Sequence, residues 1–352
     1  MRISALLAAL LAALCLTVSA FAAPLPAATL APATDTDLAT DTDLATGTDM
    51  EPSVLVDRIS NPGLAWPFAE GDALCEVWIP RIHDADAAVI RCGGETVVID
   101  TGDLFQADAF VALMKRIGVD RIRAVHNSHP HHDHLDGLGK IADVFPVGAL
   151  YIGFHEYYND TMRRAMVAST LRGIPVEHYE DGDVFHVGDA VLTTMMKGDP
   201  GWDLNNQSVV MRLQYGDRTM LFTGDIGPLG EQRLADTVPA EELQSDLLKY
   251  PHHGLLPLNA AFARAVNPAF AIITNTQRVF KTRYDLKLRK IPYVFAITGV
   301  THMATDGKLW AIELLQEDEI PQSSTTPAPT PVITPRPLPD VFGVKEDAGE
   351  GA

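Results

Sequence analysis

Cysteine is scarce in this chain, basic residues are outnumbered by acidic ones, and long apolar runs are absent after the first two dozen residues. Each shortage excludes something. The chain holds three cysteines, one of them in the N-terminal apolar run, so at most one internal bridge, Cys75 to Cys92, is available in an oxidising compartment. Two buried thiols are the other reading of that pair. Lys and Arg number 27 against 46 Asp and Glu, a formal net charge of −19, and residues 51–318 alone carry 24 against 36. That balance argues against a strong nucleic-acid-binding surface, because such surfaces replace phosphate counterions with a basic groove. Beyond the N-terminal run no stretch approaches the ~20 apolar residues that a membrane-spanning helix needs.

That run, from Ala5 to about Phe21 behind Arg2, ends in Ala-Phe-Ala-Ala and reads as a secretory signal peptide over residues 1–23. Leu14 before Cys15 is a poor match to a lipoprotein cleavage site. The mature protein is therefore expected to be secreted, extracellular or in the cell envelope, without a transmembrane segment. Residues 24–51, rich in Ala, Thr, Asp and Pro and repeating DTDLAT at Asp35–Thr40 and Asp41–Thr46, read as a disordered linker. Residues 321–352, rich in Pro and Thr with an acidic end, read as a disordered tail suited to cell-surface association. The folded domain is placed at 52–320.

Between these flanks, one segment concentrates the chemistry. Ser128–Gly137 packs four histidines and two aspartates into ten residues, spaced His129-x-His131-x-Asp133-His134. In a loop leaving a strand, residues two apart project to one side, so His129 and His131 can grip one cation while Asp133 and His134 grip a second. Imidazole and carboxylate donors suit Zn2+, with Mn2+ or Fe as alternatives. Asp100 and Asp225 each close an apolar run, and a carboxylate at a strand end can be held between two cations. His252 and His253 follow another strand, with Gly254 free to turn sharply. His302 is the last candidate. His155, His178 and His186 follow no apolar strand in a ligand-like setting and are assigned to surface or packing roles.

Hydrophobic periodicity predicts strands at 76–80, 86–91, 95–100, 121–127, 149–153, 190–195, 208–215, 218–223, 246–250, 270–274, 293–298 and 308–314. Helices are expected at 108–117, 137–144, 157–171, 229–235, 260–265 and 284–289. Two batches of strands, each interleaved with helices, suggest an α/β (α+β) domain of two face-to-face sheets with helices outside.

Taken in order, these motifs resemble the metallo-β-lactamase superfamily. Within it the nearest likeness is to the hydrolase domain of ComEC-type competence proteins, carried by Asn205-Asn206-Gln207-Ser208, Leu221–Asp225 and Leu248–Gly254. The resemblance covers about 70–315 and implies an αββα four-layer sandwich with two metal ions in a cleft at the sheet edges. Two departures stand out. Competence-type domains carry Tyr-Gly-His-Pro where this chain has Thr274-Asn275-Thr276-Gln277-Arg278, and their membrane channel is not in this sequence, so DNA uptake is not expected. His302 is expected to replace the missing histidine, as in secreted phosphorylcholine esterases of the same superfamily.

The resulting expectation is a binuclear phosphodiesterase acting on a small-molecule or polymeric diester. His129, His131 and one of His252 or His253 would hold the first ion, and Asp133, His134 and His302 the second. Asp225 would bridge, with a hydroxide between the ions as nucleophile. The spare histidine of the pair, His253 in particular, would donate to the developing oxyanion, and Asp100 would orient a ligand from behind. Alternatives are a lactone or β-lactam hydrolase, disfavoured because no cysteine lies near Asp225, and a metal-stabilised binding module without turnover.

Overall fold

The computed structural model describes residues 54–154 and 159–322, so the leader, the linker and, beyond Gln322, the tail lie outside the described residues, as does His155. Two mixed sheets form the frame. The larger has nine strands: β1 (Leu55–Asp57), β2 (Cys75–Ile79), β3 (Ala87–Cys92), β4 (Glu95–Thr101), β5 (Ala124–His126), β6 (Leu150–Ile152), β7 (Val176–His178), β15 (Val300–Thr305) and β16 (Trp310–Leu315), in the order β1-β16-β15-β2-β3-β4-β5-β6-β7. The second has seven: β8 (Val184–Val187), β9 (Ala190–Met196), β10 (Val210–Tyr215), β11 (Arg218–Phe222), β12 (Leu247–Lys249), β13 (Phe270–Ile273) and β14 (Tyr293–Phe295), in the order β14-β13-β12-β11-β10-β9-β8.

Side-chain alternation shows how the layers stack. In β11, β12 and β13 the residues Met220, Phe222, Leu247, Phe270 and Ile272 join one core with Val77, Val98 and Met303 of the larger sheet. Their neighbours Leu221, Leu248, Ala271 and Ile273 face a second core. That core is completed by α5 (Pro228–Thr237), α7 (Ala260–Val266) and α8 (Phe280–Arg289). A strand puts successive side chains on opposite faces, so a fully apolar strand must be buried on both. On the far side of the larger sheet lie α1 (Ala107–Arg116), α3 (Leu138–Ala142) and α4 (Asp160–Arg172), contributing Phe110, Met114, Ile141 and Met162. Two short helices, α2 (His132–Leu135) and α6 (Ala240–Leu243), and two 3-10 turns, Pro251–Gly254 and Ala296–Thr298, complete the described elements. The architecture is the αββα sandwich.

Several local features carry too little signal in the sequence to be expected from it. Strands β1, β7 and β8 are too short and too partially buried to give a periodic pattern. Helix α8 begins a full turn earlier than residue 284, and α2 turns part of the histidine loop into one helical turn. Cys75 and Cys92 are register partners across β2 and β3, both buried and unbridged.

The site-bearing ends share one edge. Strand β4 runs parallel to β5, and β11, β12 and β13 are mutually parallel. Parallel strands deliver their C-terminal residues to the same edge, the usual ligand position in such sheets. Asp100, Asn127–His129, Asp225, Lys249–His253 and Thr274 all follow or close these strands.

Candidate metal centre

Asp100 holds the histidine loop from beneath. It has a left-handed backbone, φ +53°, which for a non-glycine residue needs support from its surroundings. Its Oδ1 accepts from the Ser128 backbone N–H at 2.8 Å and from Asn127 Nδ2 at 3.0 Å, and its Oδ2 accepts from Ser128 Oγ at 2.7 Å. The same Oδ2 lies 2.8 Å from His134 Nδ1, so this carboxylate ties both ends of the loop together. A third tie comes from Asn159, which caps α4 by accepting from Met162 N and donates to the Pro130 carbonyl at 2.7 Å. With Nδ1 of His134 engaged, its Nε2 is the nitrogen free for a cation, the usual second role of a carboxylate behind a ligand histidine.

Two donor sets meet at Asp225. In the first, His129 Nε2 lies 2.9 Å from His131 Nδ1 and 3.7 Å from Asp225 Oδ2, and His252 Nε2 lies 3.8 Å from that same oxygen. In the second, His253 Nε2 lies 3.3 Å from Asp133 Oδ2, 3.3 Å from Asp225 Oδ2 and 3.4 Å from His134 Nε2. His134 Nε2 in turn is 3.2 Å from Asp225 Oδ1 and 4.0 Å from Asp133 Oδ2. Although so close to His134, Asp225 Oδ1 is buried without a hydrogen bond of acceptable geometry. A buried carboxylate oxygen left unbonded among converging imidazole nitrogens fits a divalent cation, since unpaired buried charge is costly otherwise. His129, His131 and Asp225 can hold one such ion among ligand atoms within 4.8 Å of one another, and His134, Asp225 and His253 form a second such group.

The turn after β12 makes this split possible. His252 and His253 have φ +47° and +50°, and Gly254 follows at +75°. Three successive left-handed residues bring both adjacent imidazoles within 3.8 Å of Asp225 Oδ2 while only His253 also reaches Asp133. Such backbone persists only where its surroundings over-determine it. His252 N–H donates to the Gly224 carbonyl at 3.1 Å, and Thr282 Oγ1 of α8 donates to the Gly254 carbonyl at 2.5 Å. Gly224, φ +51°, lies where Ser128 and Ser208 would each be 2.8 Å from an added Cβ, so Asp225 is carried on a backbone that only glycine allows. Ser208 Oγ accepts from the Asp225 N–H at 2.9 Å, and Asn206 Oδ1 accepts from the N–H groups of Gly227 and Gly230.

Behind His253 stands a group that sequence reasoning missed. Asp86 Oδ1 accepts from Thr274 Oγ1 at 2.5 Å and lies 3.3 Å from His253 Nδ1, while its Oδ2 pairs with buried Lys249. Asp86 is close enough to share a cation with His134 and His253, but it faces their Nδ1 atoms and is already neutralised by Lys249. We therefore place it behind His253, as Asp100 stands behind His134. Burial would raise the Asp86 pKa, yet Lys249 and the two histidines outweigh it and hold the carboxylate ionised. Burial would likewise lower the His134 pKa, but Asp225 and Asp100 overcome it and raise it to about 10. His129, also buried, is pushed down by desolvation and by the neighbouring His134 charge. Without ions the acidic centre thus keeps protons on His134, and cation binding would displace them. No feature of the sequence around Asp86 marks it, since it lies just outside β3 at a register shift between Ala87 and Ala88.

His302 requires correction. It sits in β15 on the larger sheet, opposite Trp78 and Glu313, away from the other histidines. Its Nδ1 lies 3.0 Å from Glu313 Oε1 and its Nε2 3.1 Å from Glu76 Oε1, so neither nitrogen has a lone pair to offer. Its ring is stacked between Trp66 at 5.0 Å and Trp78 at 3.7 Å. The place expected for it in the second set is taken by His253. The expected donor role of His253 is corrected with it, because that imidazole is 4% exposed and enclosed by carboxylates. His178 and His186 are exposed on β7 and β8, and His132 turns outward beside Asp133.

Residues 81–266 match the metallo-beta-lactamase superfamily. The chain is 26% identical over 208 residues to competence protein ComA of Neisseria gonorrhoeae, covering 58% of this chain but 27% of that protein. It is 26% identical over 199 residues to a hydroxyacylglutathione hydrolase of Tolumonas auensis, covering 54% of this chain and 69% of the relative. Among solved structures, the metallo-beta-lactamase fold protein YhfI from Bacillus subtilis aligns with a TM-score of 0.45 at 14% identity, over 66% of this chain and all of that one.

Proposed function

Because this chain belongs to the metallo-beta-lactamase superfamily, we propose that it is a binuclear metal-dependent hydrolase whose substrate is a phosphodiester and whose ions are zinc, with manganese or iron as substitutes. The observation that carries the reading is Asp225, a buried carboxylate shared by both donor sets: His129 and His252 approach its Oδ2 from one, and His134 and His253 approach its Oδ1 and Oδ2 from the other. When bound, two divalent cations supply a Lewis acid for a phosphoryl oxygen and a means of ionising water near neutral pH.

The protein's own part is to hold the donors rigid. Asp100 occupies the rear nitrogen of His134, and Thr274 Oγ1, which donates to Asp86, lies 3.1 Å from the rear nitrogen of His253, so that the front nitrogens point inward. His131, Asp133 and His252 are only partly covered and form the side from which substrate would approach, whereas His129, His134, Asp225 and His253 are buried. No free cation of the described residues stands among these groups, since Lys249 is committed to Asp86, so the charge of a diester would be met by the ions. The Asn205–Ser208 and Leu248–Gly254 segments, which resemble those of competence-type hydrolase domains, support a diester.

A carbonyl substrate, as a thioester, lactone or β-lactam, is the second reading, and the hydroxyacylglutathione hydrolase match favours it. A binding module without turnover is less favoured, because His253 completes a set that His302 would have left short. We place the enzyme outside the cytoplasmic membrane on the strength of its N-terminal apolar run. The test is hydrolysis of bis(p-nitrophenyl) phosphate by zinc- or manganese-loaded protein, with an Asp133→Ala, His134→Ala double variant as blank. Turnover lost in the variant is expected. Turnover of a thioester or lactone without any diesterase activity would replace the phosphodiester reading with the carbonyl one.

A further inference from the structure

Helix α8 carries a surface that the metal centre does not use. Phe280, Tyr284 and Leu288 recur at i, i+4 and i+8 and are 73%, 66% and 66% exposed. They form an apolar stripe on the side opposite Thr282 and Leu286, which pack inward. Lys281 and Lys287 flank the stripe and are also exposed. Charge in this segment runs against the rest of the chain. Residues 278–290 hold six Lys and Arg and one acid, Asp285, within a protein of net charge −19, and Asp285 is already paired with Arg289 at 2.9 Å. An apolar stripe edged with lysines on an otherwise acidic molecule is the pattern of a helix that lies in the plane of a lipid surface.

We propose that α8 docks this protein on a bilayer surface carrying anionic headgroups. Phe280, Tyr284 and Leu288 enter the boundary between headgroups and acyl chains, and Lys281 and Lys287 meet the phosphates. The charge selects this occupant. A second copy of the chain brings its own lysines to the same face, and a stripe three side chains long falls well short of the ~800 Å² per partner of a stable protein interface. The described residues contain no helix long and apolar enough to cross a membrane, so the contact is peripheral.

Position gives the contact a use. Thr282, on the inner face of α8, donates to the carbonyl of Gly254, which directly follows the two ligand histidines. Leu255 and Leu256, next in the chain, are 51% and 46% exposed, so the turn itself presents apolar side chains to solvent. A bilayer held by α8 therefore lies on the outer side of the helix whose inner face braces the turn carrying His252 and His253. Where the phosphodiesterase reading holds, the substrate class becomes diesters of lipid headgroups; that consequence rests on the reading, and the docking does not.

The experiment is flotation of the full-length protein with vesicles of phosphatidylcholine alone and of equal parts phosphatidylcholine and phosphatidylglycerol. Binding to the mixed vesicles, weakened by added salt, is expected for the wild type. Phe280→Ser with Tyr284→Ser and Leu288→Ser should lower it roughly tenfold or more, and so should Lys281→Glu with Lys287→Glu. These side chains face solvent, and if the serine variant fails to fold the lysine pair decides. Equal flotation of wild type and both variants, or no flotation at all, overturns the proposal. Light scattering that finds a wild-type dimer lost in the serine variant overturns it in favour of a second copy, and capture of an acidic protein in place of vesicles overturns it in favour of that partner. Bis(p-nitrophenyl) phosphate in solution should be hydrolysed equally by wild type and α8 variants. Its absence in all of them, with flotation intact, removes the diesterase reading and leaves the docking.

Discussion

Two clusters in this molecule are made of the same side chains and reach opposite ends. At the sheet edges His129, His131, His134, His252 and His253 meet Asp133 and Asp225, and on the larger sheet His302 meets Glu76 and Glu313. In the first, carboxylates stand behind the rings of His134 and His253, and their Nε2 atoms converge on a shared aspartate. In the second, carboxylates cap both nitrogens of one ring, which must then carry two protons, and the indoles of Trp66 and Trp78 cover its faces. Histidine and carboxylate in proximity therefore do not make a metal centre. What decides is whether a ring nitrogen faces other donors across a shared carboxylate, where a cation can take the place of its proton.

The contrast is most sharply broken by His253→Ala. It should cost one of two bound ions by elemental analysis and abolish turnover, whereas His302→Gln should leave metal content unchanged. If the two variants exchange these outcomes, the ligand assignment fails. Asp100→Asn keeps the shape of the group but gives the His134 Nδ1–H a neutral partner. A loss of about 10–100-fold in metal affinity or activity is expected, readable by titration with a competing chelator. An unchanged affinity would mean that the loop is held by packing alone.

The smallest effect concerns the second cluster and is one of pH. Burial disfavours the His302 cation, but the bonds to Glu313 and Glu76 outweigh it and raise its pKa above the ordinary value. A group with a raised folded-state pKa stabilises fully below its unfolded pKa of ~6.5 and loses that contribution as pH rises through the folded value. His302→Gln should thus lower Tm most near pH 6 and least above the raised pKa, by about 2–4 °C for each kcal/mol lost. A difference in Tm independent of pH would show that ring stacking, not the proton, carries the contribution.

Much of the centre is legible in the sequence because its donors are close together in the chain or follow strong apolar strands. His129, His131, Asp133 and His134 fall within six residues, and Asp225 follows a strand whose residues 218–222 are almost wholly apolar toward its end. The role of Asp100 is also readable from its position at a strand end. The pair His252 and His253 is visible, but not its division between two donor sets, which depends on consecutive left-handed residues that few sequences signal. The pairing of Asp86 with Lys249 is not visible at all, since 163 positions separate them in the chain.

Sequence by itself determined the layered fold, the histidine loop and the aspartate that could link two ions, because local spacing and two-residue alternation survive in one dimension. Tertiary structure alone decided that His253 and not His302 completes the second donor set, and that Asp86 backs it with Lys249 neutralising the charge. The physical reason is that ligation depends on where a lone pair points and on which charge lies behind it. Both are fixed by strand register and backbone handedness among residues far apart in the chain.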